Sequence, residues 1–188
     1  GKLKKTPAGG GPSQEIANVP DNRHGSWGPD NTILLSRSIT GIMRVSSSGG
    51  MVTPVTELDP SRQEGSHRFP QFLPDGRHFL FQVRSSLPDQ SGVYAGSLDG
   101  KTKKLLIRGN TTALYAPSGH VLFLDGDILM GQAFDADRLE LRGQTFVVEG
   151  RVGGVGRSST GYGSYSVSGT GTLAYAGTLS TPGRLTWF

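Results

Sequence analysis

The 188-residue sequence contains no cysteine, which excludes a disulfide framework and any thiolate metal site and leaves a reducing or an oxidising compartment equally open. No window approaches the roughly 18 consecutive apolar residues of a membrane-spanning helix, and the basic start Gly1-Lys2-Leu3-Lys4-Lys5 has no apolar segment behind it. Membrane contact by these residues is therefore not expected. Charged residues make up only 18%, and the basic ones are dispersed apart from Lys2, Lys4 and Lys5 and a group at Lys101, Lys103 and Lys104. The net charge of +4 forms no nucleic-acid footprint, because no aromatic residues interleave with the basic ones to stack bases. Helical periodicity is missing as well. What the chain has in quantity is glycine, 29 residues, with 11 prolines and 34% hydrophobic residues. That mixture describes a globular all-β chain in which turns punctuate many short strands.

The strands fall into a repeat. Trp27-Gly28-Pro29-Asp30 leads to Ile33-Leu34-Leu35; Phe72-Leu73-Pro74-Asp75 leads to Phe79-Leu80-Phe81; Tyr115-Ala116-Pro117-Ser118 leads to Val121-Leu122-Phe123; Tyr165-Ser166-Val167-Ser168 leads to Leu173-Ala174-Tyr175. Each reads as an aromatic, a tight turn and an apolar triplet, with Pro fixing φ, Asp or Ser bonding back to the backbone and Gly supplying positive φ. The recurrence lies near the roughly 40–50-residue period of β-propeller blades and is too long for most helical repeats. The spacing therefore predicts a β-propeller of four-stranded blades, with Trp27, Phe72, Tyr115 and Tyr165 at one buried core position.

In chain order, residues 1–20 read as the two outer strands of a partial blade. Residues 21–59, 60–108 and 109–152 read as three full blades. The second of these carries Asp99-Gly100, the strongest short-range hairpin signal available. Residues 153–188 read as a further partial blade, entered through a Gly- and Ser-rich connection expected to be mobile and ending in the strand Arg184–Phe188. Two arrangements accommodate three full and two partial blades. Either the chain is a piece of a larger propeller, or its first strands complete its last blade in a small ring.

Local chemistry is sparse. His24 and His67 with Asp59 or Glu64 do not have zinc-ligand spacing, so no metal is expected. Asp125-Gly126-Asp127 and Asp135-Ala136-Asp137 lack the longer run of oxygen ligands closed by a bidentate Glu that a calcium loop needs. Gly154-Val155-Gly156 lacks the third Gly and the Lys-Ser/Thr pair of a phosphate loop. No serine sits in a Gly-x-Ser-x-Gly elbow. Neither an enzyme nor a cofactor is indicated.

The Pro-Asp-Gly turn after an aromatic, followed by an apolar triplet, resembles the WD40-like (PD40) repeats of TolB-type propellers. The runs Arg23–Val45, His67–Phe81, Gly92–Gly100 and Gly131-Gln132-Ala133-Phe134-Asp135 further resemble the carboxy-terminal propellers of bacterial membrane-bound serine/threonine kinases. The resemblance covers nearly the whole chain, and its motifs are core and turn residues, which specify fold far better than function. It implies a non-catalytic propeller that binds protein or ligand, periplasmic or extracytoplasmic, as the sensory or interaction part of a larger protein. A TolB-like periplasmic scaffold and the gating propeller of a serine peptidase are the alternatives. Self-association through open blade edges is a further expectation.

Binding is expected on the loops that enter the blades: Asn22-Arg23-His24, His67-Arg68, Asn110-Thr111-Thr112 and Ser158-Ser159-Thr160. The candidate ligand-binding residues are Arg23, His24, His67, Arg68 and Asn110. Arg23 and Arg68 stand at matching repeat positions, so both should face one opening and there bind an acidic peptide or carboxylate, each through two hydrogen bonds. The competing arrangement pairs each Arg with a local acid such as Asp21 or Glu64.

Overall fold

The computed structural model describes residues 1–153 and 163–177. The chain divides into two compact units, residues 1–109 with 136–140, and residues 110–135 with 141–188. The expected strand Arg184–Phe188, most of the Gly- and Ser-rich connection and Ser158-Ser159-Thr160 lie outside the described residues.

The first unit opens with an antiparallel hairpin of β1 (Lys2–Lys5) and β2 (Gln14–Asn18). A four-stranded antiparallel sheet follows, β3 (His24–Trp27), β4 (Thr32–Ser36), β5 (Met43–Ser46) and β6 (Thr53–Pro54), hydrogen-bonded in chain order. A short 3-10 turn, Pro60–Arg62, leads to a second such sheet of β7 (Glu64–Phe72), β8 (His78–Ser85), β9 (Gly92–Ser97) and β10 (Lys103–Arg108). In the second unit β11 (Ala113–Ala116), β12 (His120–Asp125), β13 (Ile128–Asp135) and β14 (Glu140–Glu149) form a third, and β15 (Tyr165–Val167) pairs with β16 (Leu173–Tyr175).

Two apolar layers hold the first unit together. Ile16, Ala17 and Val19 of the hairpin region pack with Ile33, Leu35 and Val45 of the first sheet. On that sheet's other face Leu34, Ile42 and Val55 pack with Phe79, Phe81, Val83 and Tyr94 of the second. A sheet covered on both faces buries both sides of its second strand, which is why β4, β8 and β12 carry continuous apolar triplets rather than an alternating pattern. Each such aromatic or aliphatic side chain contributes about 1.5–3 kcal/mol relative to exposure.

The turns follow the expected chemistry. Asp30 accepts the Thr32 N–H at 3.0 Å, and Asp75 accepts those of Arg77 and His78 at 3.0 and 2.9 Å. Closing each turn, the N–H of Asn31, Gly76, Gly119 or Gly171, all at positive φ, donates three residues back to Gly28, Leu73, Ala116 or Ser168. Gly76, at φ +64°, has a second constraint: a Cβ there would lie 2.5 Å from Cγ of Pro29, in the corresponding turn of the preceding sheet.

These turn bonds correct the expected core position. Counted from the closing residue, Trp27, Phe72 and Tyr115 are equivalent to Val167 and not to Tyr165, which stands two residues deeper. The shared position is a strand end beside solvent: Trp27 is 53% exposed, and Phe72, Tyr115 and Val167 are half-buried. Tyr165 alone of the four aromatics is buried, with its hydroxyl 3.0 Å from the Thr112 carbonyl and 3.1 Å from that of Leu122. The last triplet is also less buried than expected, since Ala174 and Tyr175 are exposed.

Candidate functional site

Strand β7 builds the site because its sequence cannot run as a regular ladder. Pro70 has no N–H to donate, and pairing with β8 slips between Arg68 and Gln71, a bulge in which Phe69 takes the left-handed φ of +52°. On either side of it β7 is tied to the first sheet. The His67 N–H donates to the Thr40 carbonyl at 3.0 Å, and the Phe72 N–H to Ser26 Oγ at 3.0 Å. The bulge turns the Phe69 ring onto His24, with centroids 4.1 Å apart.

Beside this bulge, at the end of the two sheets where β3 and β7 begin, lies a cleft of about 520 Å3 lined by Ser38, Ile39, Gln63, Gly65, Ser66, Arg68, Arg84, Ser85 and Ser86. Arg68 Nε donates to Ser66 Oγ at 2.9 Å. Arg23 Nε donates to Ser38 Oγ at 3.0 Å, which places Arg23 at the cleft margin. Ser66 pairs across the sheet with Arg84, bringing a third guanidinium alongside. Burial, then the charges of Arg84 and Arg23, pull Arg68 below the ordinary guanidinium value, and burial followed by Arg23 and Arg68 lowers His24. Among the described residues no carboxylate forms an ion pair with Arg23, Arg68 or Arg84. Like charges held together in a partly desolvated cleft create a field that attracts an anion.

His67 does not belong to this surface, which corrects its expected place among the mouth residues. It sits within β7 rather than in a loop and is wholly buried. Thr56 Oγ1 lies 2.7 Å from Nδ1 and accepts the Ile42 N–H at 2.8 Å; because the Glu64 carboxylate at Nε2 can only accept, a neutral ring leaves Nδ1 bare and the Thr56 hydroxyl donates to it. Nε2 then carries the ring proton and donates to Glu64 Oε2 at 3.0 Å. Burial pushes this imidazole down to about 4 despite the opposing pull of Glu64, and it stays neutral. Glu64 also accepts the Asp59 N–H at 2.8 Å, and Lys103 Nζ lies 2.6 Å from both its oxygens. Burial works to raise Glu64, but the bonds from Lys103, Asp59 and His67 outweigh it and hold the carboxyl below its ordinary value. Thr56, His67, Glu64 and Lys103 thus form a satisfied polar network joining the two sheets, the arrangement in which buried polar groups are tolerated.

Of the five residues expected at the site, the structure gathers Arg23, His24 and Arg68. Asn110 is an exposed residue at the start of the second unit, before β11. Glu64, one of the acids weighed as an arginine partner, is instead committed to Lys103 and His67. Arg84, Ser38, Ser66 and Ile39 were not singled out from sequence. A signal for Arg84 exists: a basic residue comes shortly after the apolar triplet in both sheets, as Arg37 just beyond β4 and Arg84 near the end of β8. Among the described residues no three His, Asp or Glu side chains gather as a metal site.

No protein-family model and no curated protein matches the sequence. Solved structures do resemble the fold. The calcium-binding protein regucalcin of Agrobacterium tumefaciens superposes with a TM-score of 0.62 at 16% identity, over 94% of this chain and 60% of its own. A protein designated TolB from the same organism gives 0.56 at 18% identity, over 79% and 57%. Puromycin hydrolase gives 0.58 at 15% identity, over 88% and 30%. The chain therefore spans less than two thirds of each of these proteins. The shared fold is the β-propeller, and the all-β, propeller-type architecture expected from the repeat is what the chain adopts.

Proposed function

We propose that this chain is a non-catalytic binding propeller, the extracytoplasmic sensory or interaction part of a larger bacterial protein of the membrane-bound serine/threonine kinase type, and that it takes an acidic protein or peptide segment at the Arg23–Arg68 end. The kinase context and the location rest on the repeat resemblance described above. The observation that carries the binding reading is that Arg23 and Arg68, from adjacent sheets, flank one open cleft and are partnered there by serine hydroxyls rather than carboxylates. A guanidinium so placed keeps a pair of N–H donors for a carboxylate, and the planar fork gives geometry as well as charge.

The test is fluorescence anisotropy of the purified chain with labelled peptides of equal length, one acidic, one neutral and one basic. The acidic peptide binds, binding weakens as salt is raised, and Arg23→Ala with Arg68→Ala lowers the affinity by about tenfold or more, as loss of charge-assisted bonds requires. Equal binding of all three peptides, or an affinity untouched by the double substitution, overturns the reading. In the full-length protein, a membrane span and kinase motifs ahead of this chain are the expected context; a hydrolase domain with Gly-x-Ser-x-Gly would instead identify a peptidase gate.

A further inference from the structure

Resting on the acidic-ligand reading, we infer that this cleft is a site for a doubly charged oxyanion group, two adjacent acidic side chains of a peptide, with a neighbouring apolar side chain seated on Ile39. The charge count comes from Arg84. A single carboxylate offsets one of the three positive charges around the cleft and leaves the other two facing each other in a partly desolvated space, where their repulsion is weakly screened. Two negative groups side by side match the three far better.

The hydroxyls point the same way. Ser38 Oγ and Ser66 Oγ each accept an arginine Nε–H, and among the described residues neither hydroxyl hydrogen is given to another acceptor, so both remain to donate to an anion. Ser85 and Ser86 are different, since their hydroxyls donate to the Arg62 carbonyl and to Gln63 Oε1. The cleft thus offers guanidinium and hydroxyl donors at its centre with used hydroxyls along one side. Ile39 supplies the apolar element: it lines the cleft and is 78% exposed. An aliphatic side chain next to the acidic pair would remove that surface from water, a gain that scales with the area covered. Arg68, held by Ser66, and Arg23, held by Ser38, are set in place before a ligand arrives, which reduces the side-chain ordering that binding requires.

The experiment compares three labelled peptides, Gly-Ser-Leu-Asp-Asp-Ser-Gly, the same with one Asp replaced by Asn, and the same with both replaced. The doubly acidic peptide binds about tenfold tighter than the singly acidic one, the factor expected when a further charge-assisted contact is made. Arg84→Gln shrinks that ratio toward one, Arg84→Lys restores part of it, and Ile39→Ser weakens all peptides that keep Leu. Thermal unfolding of each variant verifies that it is folded. A ratio below about threefold, or an Arg84→Gln effect equal on both acidic peptides, overturns the two-charge assignment while the acidic-ligand reading stands. If no peptide binds, titration with malonate separates the cases. Malonate shifts at the Arg84 and Arg68 Nε–H signals show a small dianion site and sink the peptide ligand, and silence there sinks both.

Discussion

Lys103 Nζ sits 2.6 Å from each carboxylate oxygen of Glu64, a side chain with no exposed surface that enters the second sheet 39 residues earlier, at the opposite edge from Lys103. The pair ties the first strand of that sheet to the last, and its acid reaches on through His67 and Thr56 into the neighbouring sheet.

Removing the lysine leaves a buried carboxylate without its counter-charge. Lys103→Met should destabilise the chain by about 3 kcal/mol, the lower end of the range for breaking a buried pair because the Lys103 side chain keeps 25% exposure. Adding Glu64→Gln should recover part of that loss, since an amide needs no counter-charge. Urea unfolding of the two variants measures both values, and a Lys103→Met loss under about 1 kcal/mol would show that the network does not depend on the pair.

Acid should loosen the same region. Between pH 6.5 and about pH 4 the unfolded chain holds a proton on His67 that the folded chain excludes. This contribution is full above the unfolded value and declines as pH falls through that window, the loss amounting to about 2 kcal/mol at pH 5. His24, lowered in the same direction, adds to the slope. Glu64 acts further down, its contribution being lost as pH falls through a value below the usual carboxylate range. Comparison of unfolding free energies at pH 8 and pH 5 for the parent and His67→Gln checks this. The substitution should flatten the difference, and an unchanged difference would place the proton uptake elsewhere.

Two aromatics separate core from strand end. Phe79 is fully buried among Leu34, Phe81 and Tyr94, so Phe79→Ala should cost about 3–5 kcal/mol. Trp27→Ala, at an exposed position, should cost less than about 1 kcal/mol. Denaturant midpoints of the two variants give the ranking directly, and equal losses would contradict the packing described.

The fold was legible because turn chemistry and the apolar triplet are local. Pro74-Asp75-Gly76 states its turn, and Phe79-Leu80-Phe81 its double burial, within a few residues. The core position was misjudged because an aromatic beside a turn looks the same from sequence whether the strand end faces a neighbour or water. In the last unit Gly169 stands where the other turns have Pro29, Pro74 and Pro117, so no proline marks the turn and the two-residue offset of Tyr165 is hidden. At the site, Arg23 and Arg68 were legible from repeat alignment. The burial of His67 was not, because it depends on Thr56 and Lys103 arriving from other strands. Arg84 escaped notice because cross-strand pairing with Ser66 brings it to the cleft, and pairing partners are not written beside one another.

Pro29 resting on Gly76 makes the turns of the first two sheets a coupled pair, a contact the next turn does not share, since a Cβ on Gly119 would meet nothing within 4 Å. The contact limits what either position can carry. Trimming Pro29 makes room at Gly76 but leaves its φ of +64°, so the glycine can drift only to a residue such as asparagine, which already holds the matching place at Asn31. A substitution at Pro29 or at Gly76 is therefore felt in the turn of the neighbouring sheet as well as in its own.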